Sequence, residues 1–191
     1  IGDYDFKNDV FATITIPKMN LEMPIYLGAS KENMARGITV LANTSLPIGG
    51  KNTNSVLAGH RGYRGIPFFR DIENLQIGDE VIINNYWQEL KYIVSDIQII
   101  LPSESEEVLI QDGKDMISLI TCHPYRQNYQ RYVVYCTRED DYKKNETSIV
   151  NQNSKVVKSS KNDIMFEQYL PFGLLLILII FIFILIKKTK N

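Results

Sequence analysis

The sequence predicts a predominantly β domain with only short helices, in which a closed or nearly closed barrel would protect the strand edges. Three observations lead there. Apolar and polar side chains alternate with a period of two over residues 10–16. Short apolar runs then recur at 23–26, 55–58, 81–83, 90–100, 116–122 and 131–137, each bounded by turn residues. The helical signals among them, at 31–36 and 67–75, are both short. With 191 residues in all, the chain suits one domain with a substantial core once its C-terminal tail is set aside. Propensity alone does not separate a barrel from a sandwich.

In the first strand Val10, Ala12, Ile14 and Ile16 alternate with Phe11, Thr13 and Thr15, and Pro17 stops it. Ser30 is placed to cap a short helix over 31–36, with Gly37 where such a helix ends. Gly49–Gly50 and 52–54 read as a turn, after which 55–58 delivers His60 to a loop. Phe68, Phe69, Ile72 and Leu75 fall at helical spacing, which predicts a short helix over 67–75 with an apolar face. Asn84–Asn85 predicts the turn between the next two strands, and Ser103 with Glu106 predicts a capping box that accounts for the acidic cluster there. A metal site in that cluster is not expected.

The formal charge is −1, and without Lys187, Lys188 and Lys190 the remainder carries −4, so no basic stripe points to nucleic acid. Residues 170–186 form an uncharged apolar run of about 26 Å as a helix, which predicts a membrane anchor closed by lysines on the cytoplasmic side. The domain before it is then expected outside the cell. A start at Ile1 instead of Met is read as a mature or trimmed form, which leaves room for a signal peptide or a first span upstream. The expected organisation is an N-terminal extension (1–10), the β domain (11–138), a polar spacer (139–168), a transmembrane segment (169–187) and a cytoplasmic tail (188–191).

The chemistry centres on residues 118–122, Ser-Leu-Ile-Thr-Cys, and on Arg131 at the start of the following strand. A tight loop would bring thiol and guanidinium side by side. Cys136 differs from Arg131 by an odd number of strand positions, so it faces the other side and is expected in the core, not in a disulfide with Cys122. The same geometry, with unsuitable spacings, argues against a zinc site from two cysteines and two histidines. A free thiol titrates near pH 8.5, and Arg131 supplies the positive neighbour that favours a thiolate. His60 is the leading proton-transfer group; His123 adjoins Cys122 and should point to the opposite face. A thiol, a guanidinium and an imidazole suit acyl transfer through a thioacyl enzyme. Each also has a plainer role, as a core cysteine, a loop histidine and a solvated strand start.

At these residues the chain resembles the sortases, cysteine transpeptidases of Gram-positive cell surfaces, and most of all their class C, pilin-polymerising group. The Thr-Leu-x-Thr-Cys signature is matched by 118–122 with Ser118 in place of the first Thr, the downstream arginine by Arg131, and the histidine segment by 60–62. Further matches fall at 16–18, 21–26, 43–50 and 113–115. The resemblance implies a sortase-type eight-stranded closed barrel plus a C-terminal transmembrane helix. It implies Cys122 as nucleophile, His60 as general acid and base, and Arg131 as oxyanion or substrate support, with Thr121 and Ser118 near the substrate and no cofactor or metal. The implied donor is a Leu-Pro-x-Thr-Gly-like sorting signal cut after Thr, and the implied acceptor is a lysine of a neighbouring pilin subunit. Class C members commonly carry a lid with an Asp-Pro-aromatic motif, whereas residues 1–10 hold Asp3, Asp5 and Phe6 with no proline. Either the lid lay upstream or this member has none. The rival readings are a sortase that anchors surface proteins to the cell-wall precursor, a thiol protease, and a non-enzymatic adhesion module tethered to the membrane.

Overall fold

A computed structural model describes residues 5 and 9–143. Eight strands, β1 (Ala12–Ile16), β2 (Leu21–Leu27), β3 (Ile38–Val40), β4 (Thr53–Ala58), β5 (Glu80–Asn85), β6 (Glu89–Ile100), β7 (Asp115–His123) and β8 (Gln130–Arg138), are joined by one short helix, α1 (Lys31–Arg36), and brief 3-10 turns. They close into a barrel in the order β1-β2-β3-β4-β7-β8-β6-β5. Closure pairs β1 with both β2 and β5 and leaves no free sheet edge. Two neighbouring pairs, β2 with β3 and β4 with β7, run parallel. Parallel neighbours need a crossover, so the whole of β5 and β6 is threaded between β4 and the strand it lies beside.

Alternation decides which side chains fill the barrel. Ile14 and Ile16 from β1, Ile117 and Leu119 from β7, and Val134 and Cys136 from β8 all join one interior cluster. Leu119 lies opposite Val134, and Ile117 opposite Cys136. Each such fully buried aliphatic contributes about 1.5–3 kcal/mol against exposure. The outer face of β7 and β8 is also covered: Met116, Val133, Tyr135 and Ile100 form a second cluster with Val108 and Ile120 packed on it. At the far end, Asp115 accepts from the Tyr92 hydroxyl at 2.8 Å and the Gly50 amide at 2.9 Å, which fixes where β7 begins beside β4.

Ser30 caps α1 as expected, its hydroxyl accepting from the Asn33 amide at 3.1 Å. Gly37 does end the helix, but with an extended backbone; glycine is needed because a Cβ there would collide with the Pro24 carbonyl. Strand β3 carries no period-two signal because its three residues are all buried. The helix expected over 67–75 is reduced to a single 3-10 turn, Ile72–Asn74. Phe68 adopts a left-handed φ of 45°, which a helix cannot contain, although its four apolar residues are all buried. Asn84 and Asn85 stay in β5, and the turn lies just beyond them, where Asn85 Oδ1 accepts from the amides of Trp87 and Gln88. The capping box does not form: a 3-10 turn spans Ser105–Val108, and Glu104 accepts from the Leu101 amide at 2.7 Å. Residues 139–143, expected as spacer, are helical. Among the described residues no helix is long and apolar enough to cross a membrane. The expected anchor at 169–187, the tail at 188–191 and the rest of the spacer lie outside the described residues.

Candidate active site

The site forms where β4 and β7 end and β8 begins. On β7, Leu119 points into the barrel, so Cys122 faces outward, and on β8 Val134 points inward, so Arg131 faces outward. The two are direct cross-strand partners. Side chains in that relation have Cβ atoms roughly 5 Å apart. The connection between them turns through Pro124, whose carbonyl accepts from the amides of Gln127 and Asn128. Arg131 Nη1 donates to the carbonyls of Asn128 at 3.0 Å and Gln130 at 2.8 Å, so the guanidinium is braced on its own loop.

The imidazole arrives on the other side of Cys122. In the parallel β4–β7 pair Ala58 lies opposite Ile120, the Gly59 amide donates to the Ile120 carbonyl at 3.1 Å, and the Thr121 hydroxyl donates to the Gly59 carbonyl at 2.7 Å. One residue further along each chain, His60 and Cys122 leave the paired region at the same level. Gly59 admits no side chain there, because a Cβ would come within 2.6 Å of Ile38 Cδ1 and 2.7 Å of Phe69 Cδ2. His60 stacks on Tyr63 at 4.7 Å between ring centroids and meets the edge of Phe68 at 5.8 Å. This partial burial pulls its pKa below the ordinary histidine value, which favours the neutral ring. Phe68, whose ring meets His60, is a residue with a left-handed backbone in this loop segment.

The remaining residues singled out from sequence take other places. Cys136 is fully buried and its thiol is pushed far up by desolvation, so it is inert. Ser118 and Thr121 were expected near substrate; both are buried, with Ser118 donating to Asn54 Oδ1 at 3.0 Å and Thr121 to Gly59. Their hydroxyls hold the frame of the site. Asn54 in turn donates to the Val108 carbonyl at 2.9 Å, tying the β6–β7 connection to the barrel. His123 sits on the inner side of β7, as parity predicts, and packs 5.6 Å from the Tyr132 ring.

Arg61 is the residue the sequence did not mark. Its side chain is only 5% exposed, it pairs with Glu73 at 2.6 Å, and its Nη1 lies 2.7 Å from His123 Nδ1. A charged residue in a loop reads as solvated unless its partners are known, and Glu73 and His123 are both distant in sequence. Exposed apolar side chains flank the site as well. Ile100 is the β6 partner of Arg131, and next to it Ile99 and Leu101 are exposed, as are Tyr125 and Tyr129 on the β7–β8 loop.

Strand pairing thus sets a thiol between an arginine on β8 and a half-buried histidine after β4, at one end of a closed eight-stranded barrel. The family profile described as the sortase domain matches residues 14–139. The chain belongs to the sortase family. That span holds His60, Cys122 and Arg131. Sortase A of Bacillus anthracis is 33% identical over 128 residues, covering 67% of this chain and 59% of that protein. The sortase described here thus spans less than two thirds of that relative. Among solved structures, sortase C of Streptococcus pneumoniae aligns with a TM-score of 0.67 at 34% identity over 69% of each chain. Sortase C of Clostridium perfringens aligns at 0.64 and 39% identity, over 69% of this chain and 71% of that one.

Proposed function

We propose that this sortase is a cysteine transpeptidase that cuts a Leu-Pro-x-Thr-Gly-like sorting signal after Thr and passes the acyl group to a lysine amine of another pilin subunit. The observation that carries the proposal is the placement of Cys122 directly opposite Arg131, with His60 delivered at the same level from β4. Cys122 Sγ gives its proton to the neutral His60 ring as it attacks the Thr carbonyl and forms a C–S bond, leaving a tetrahedral oxyanion beside an imidazolium. The braced Arg131 guanidinium supports that oxyanion or the neighbouring substrate backbone. As the C–N bond breaks, His60 gives its proton to the leaving glycine amine, and the thioester remains. The lysine amine then attacks the thioester, His60 takes up its proton, and the thiolate leaves. One amide is broken and one isopeptide bond is made, so no external energy source is required. The exposed apolar side chains of Ile99 and Leu101 suit the Leu of the signal.

The pilin acceptor is supported by the likeness to two sortase C structures, of which the Streptococcus pneumoniae one is described in terms of pilin substrate specificity. The likeness to Sortase A of Bacillus anthracis supports a second reading, in which a cell-wall precursor amine is the acceptor. The apolar run at 170–186 supports a membrane-tethered enzyme with its catalytic domain outside the cell. The deciding experiment incubates the purified domain with a sorting-signal peptide and looks for a thioester on Cys122 by mass spectrometry, then offers pilin or a cell-wall amine. A Cys122 adduct followed by pilin ladders is the expected result. An adduct resolved only by the cell-wall amine selects the second reading, one resolved by water alone selects a protease, and no adduct with intact peptide binding selects an adhesion module.

A further inference from the structure

We propose that Arg61 is a positioning residue for the Cys122 nucleophile, acting beneath the end of β7 through Glu73, His123 and the Cys122 carbonyl. The inference rests on the transpeptidase reading above. The two residues after Gly59 part company: His60 packs against Tyr63 and Phe68, whereas Arg61 turns inward, 5% exposed, with its guanidinium 5.8 Å above the Tyr132 ring.

Stability alone is a poor reason for this arrangement. A desolvated guanidinium needs full compensation, and apolar replacements of such groups are often neutral or stabilising. Arg61 has one carboxylate partner, Glu73 Oε1 at 2.6 Å, itself half exposed, and its buried Nε has no hydrogen-bond partner among the described residues. Its other polar contacts among the described residues go to the two residues that end β7, with Nη1 2.7 Å from His123 Nδ1 and 3.5 Å from the Cys122 carbonyl. The same His123 Nδ1 lies 3.3 Å from Glu73 Oε1, so guanidinium, carboxylate and imidazole meet at one point under the end of β7. The rigid fork therefore spans three segments: the loop after β4, the 3-10 turn carrying Glu73, and the nucleophile's own backbone. His60 is the immediate chain neighbour of Arg61, so the same strut sets base and nucleophile relative to each other. The loop that bears one and the strand end that bears the other are otherwise joined, among the described residues, by the hydrogen bonds of Gly59.

The test uses Arg61→Met, Arg61→Lys and Glu73→Gln in the intact domain, with thioester formation on a sorting-signal peptide and amide hydrogen exchange read together. A positioning role predicts that Arg61→Met lowers kcat by about 10- to 100-fold with KM for the peptide nearly unchanged. Exchange across 121–131 accelerates while the interior of β1 and β5 keeps its protection. Arg61→Lys recovers little, because one ammonium cannot reach all three partners. Glu73→Gln, at a half-exposed position that does not threaten folding, lowers kcat in the same sense by a smaller factor. The inference is overturned by unchanged kcat in Glu73→Gln, by full recovery in Arg61→Lys, or by exchange that rises evenly over the barrel. A wild-type domain that forms no thioester would instead sink the transpeptidase reading, and the exchange pattern would still decide whether Arg61 holds the end of β7.

Discussion

Cys122 and Arg131 are direct cross-strand partners on the outward face of β7 and β8, while His60 reaches the same level from β4 on the opposite side. The thiol is thus flanked by a cation and by a base that come from different strands. Neither flank can be replaced by the other.

Single substitutions should therefore rank the two imidazoles and the guanidinium. His60→Ala and Arg131→Ala are each expected to lower transfer by about 10²-fold or more. His123→Ala, on the inner side of β7, is expected to lower it less than tenfold. Rates of isopeptide formation measured side by side check this, and a His123→Ala loss larger than that of His60→Ala would reverse the choice of base.

Thiol chemistry should distinguish the two cysteines. Cys122 is half-buried and Cys136 is fully buried with its thiol pushed far up, so a native chain is expected to consume one equivalent of iodoacetamide and an unfolded chain two. Comparing a small with a bulky reagent at Cys122 also measures access to the site. Equal rates indicate an open site, and slow bulky labelling indicates a covering segment.

The lowered pKa of His60 has a sign that can be checked. The unfolded chain holds its histidine proton near the ordinary value of about 6.5 and the folded chain holds it less tightly. The stability this represents is present above about pH 6.5. It is lost as the pH falls through the lowered folded value. Urea midpoints at pH 7.5 and 5.5 should show wild type losing more stability than His60→Gln, and an equal or smaller loss would contradict the assignment. The chain has only two histidines, so an NMR titration can follow both rings separately.

Gly59→Ala should damage the site through packing. Its Cβ would press on Ile38 and Phe69 at distances shorter than real Cβ contacts allow, so a loss of roughly 1–3 kcal/mol is expected. Because the displaced residue is the neighbour of His60, kcat should fall even at temperatures where the variant is folded. A variant with wild-type Tm and kcat would show that the loop yields freely.

Much of this was legible in the chain. Strict alternation in β1, and the parity of Cys122, His123, Arg131 and Cys136, gave both the strands and the sidedness of the reactive groups, since a strand has only two faces. The misses came where neighbours in space decide the outcome. Strand β3 is three fully buried residues with no period to detect. The apolar spacing at 68–75 is helical, yet a left-handed Phe68 spends those side chains on a non-helical turn. Asn84 and Asn85 are turn formers drawn into β5 by pairing with β1 and β6, so the turn shifts past them. Arg61 could not be found because its burial depends on Glu73 and His123, which only the closed barrel brings to it.

The parallel pairing of β4 with β7 has a consequence for the chain as it is made. Gly59 and Thr121, whose bond seats the base beside the nucleophile, are separated by 62 residues. No early fragment on the ribosome contains both, and loop closure over that distance comes late in folding. The thiol is consequently without its base until the barrel has shut, and a nascent or half-folded chain carries no working acyl-transfer centre with which to attack its neighbours.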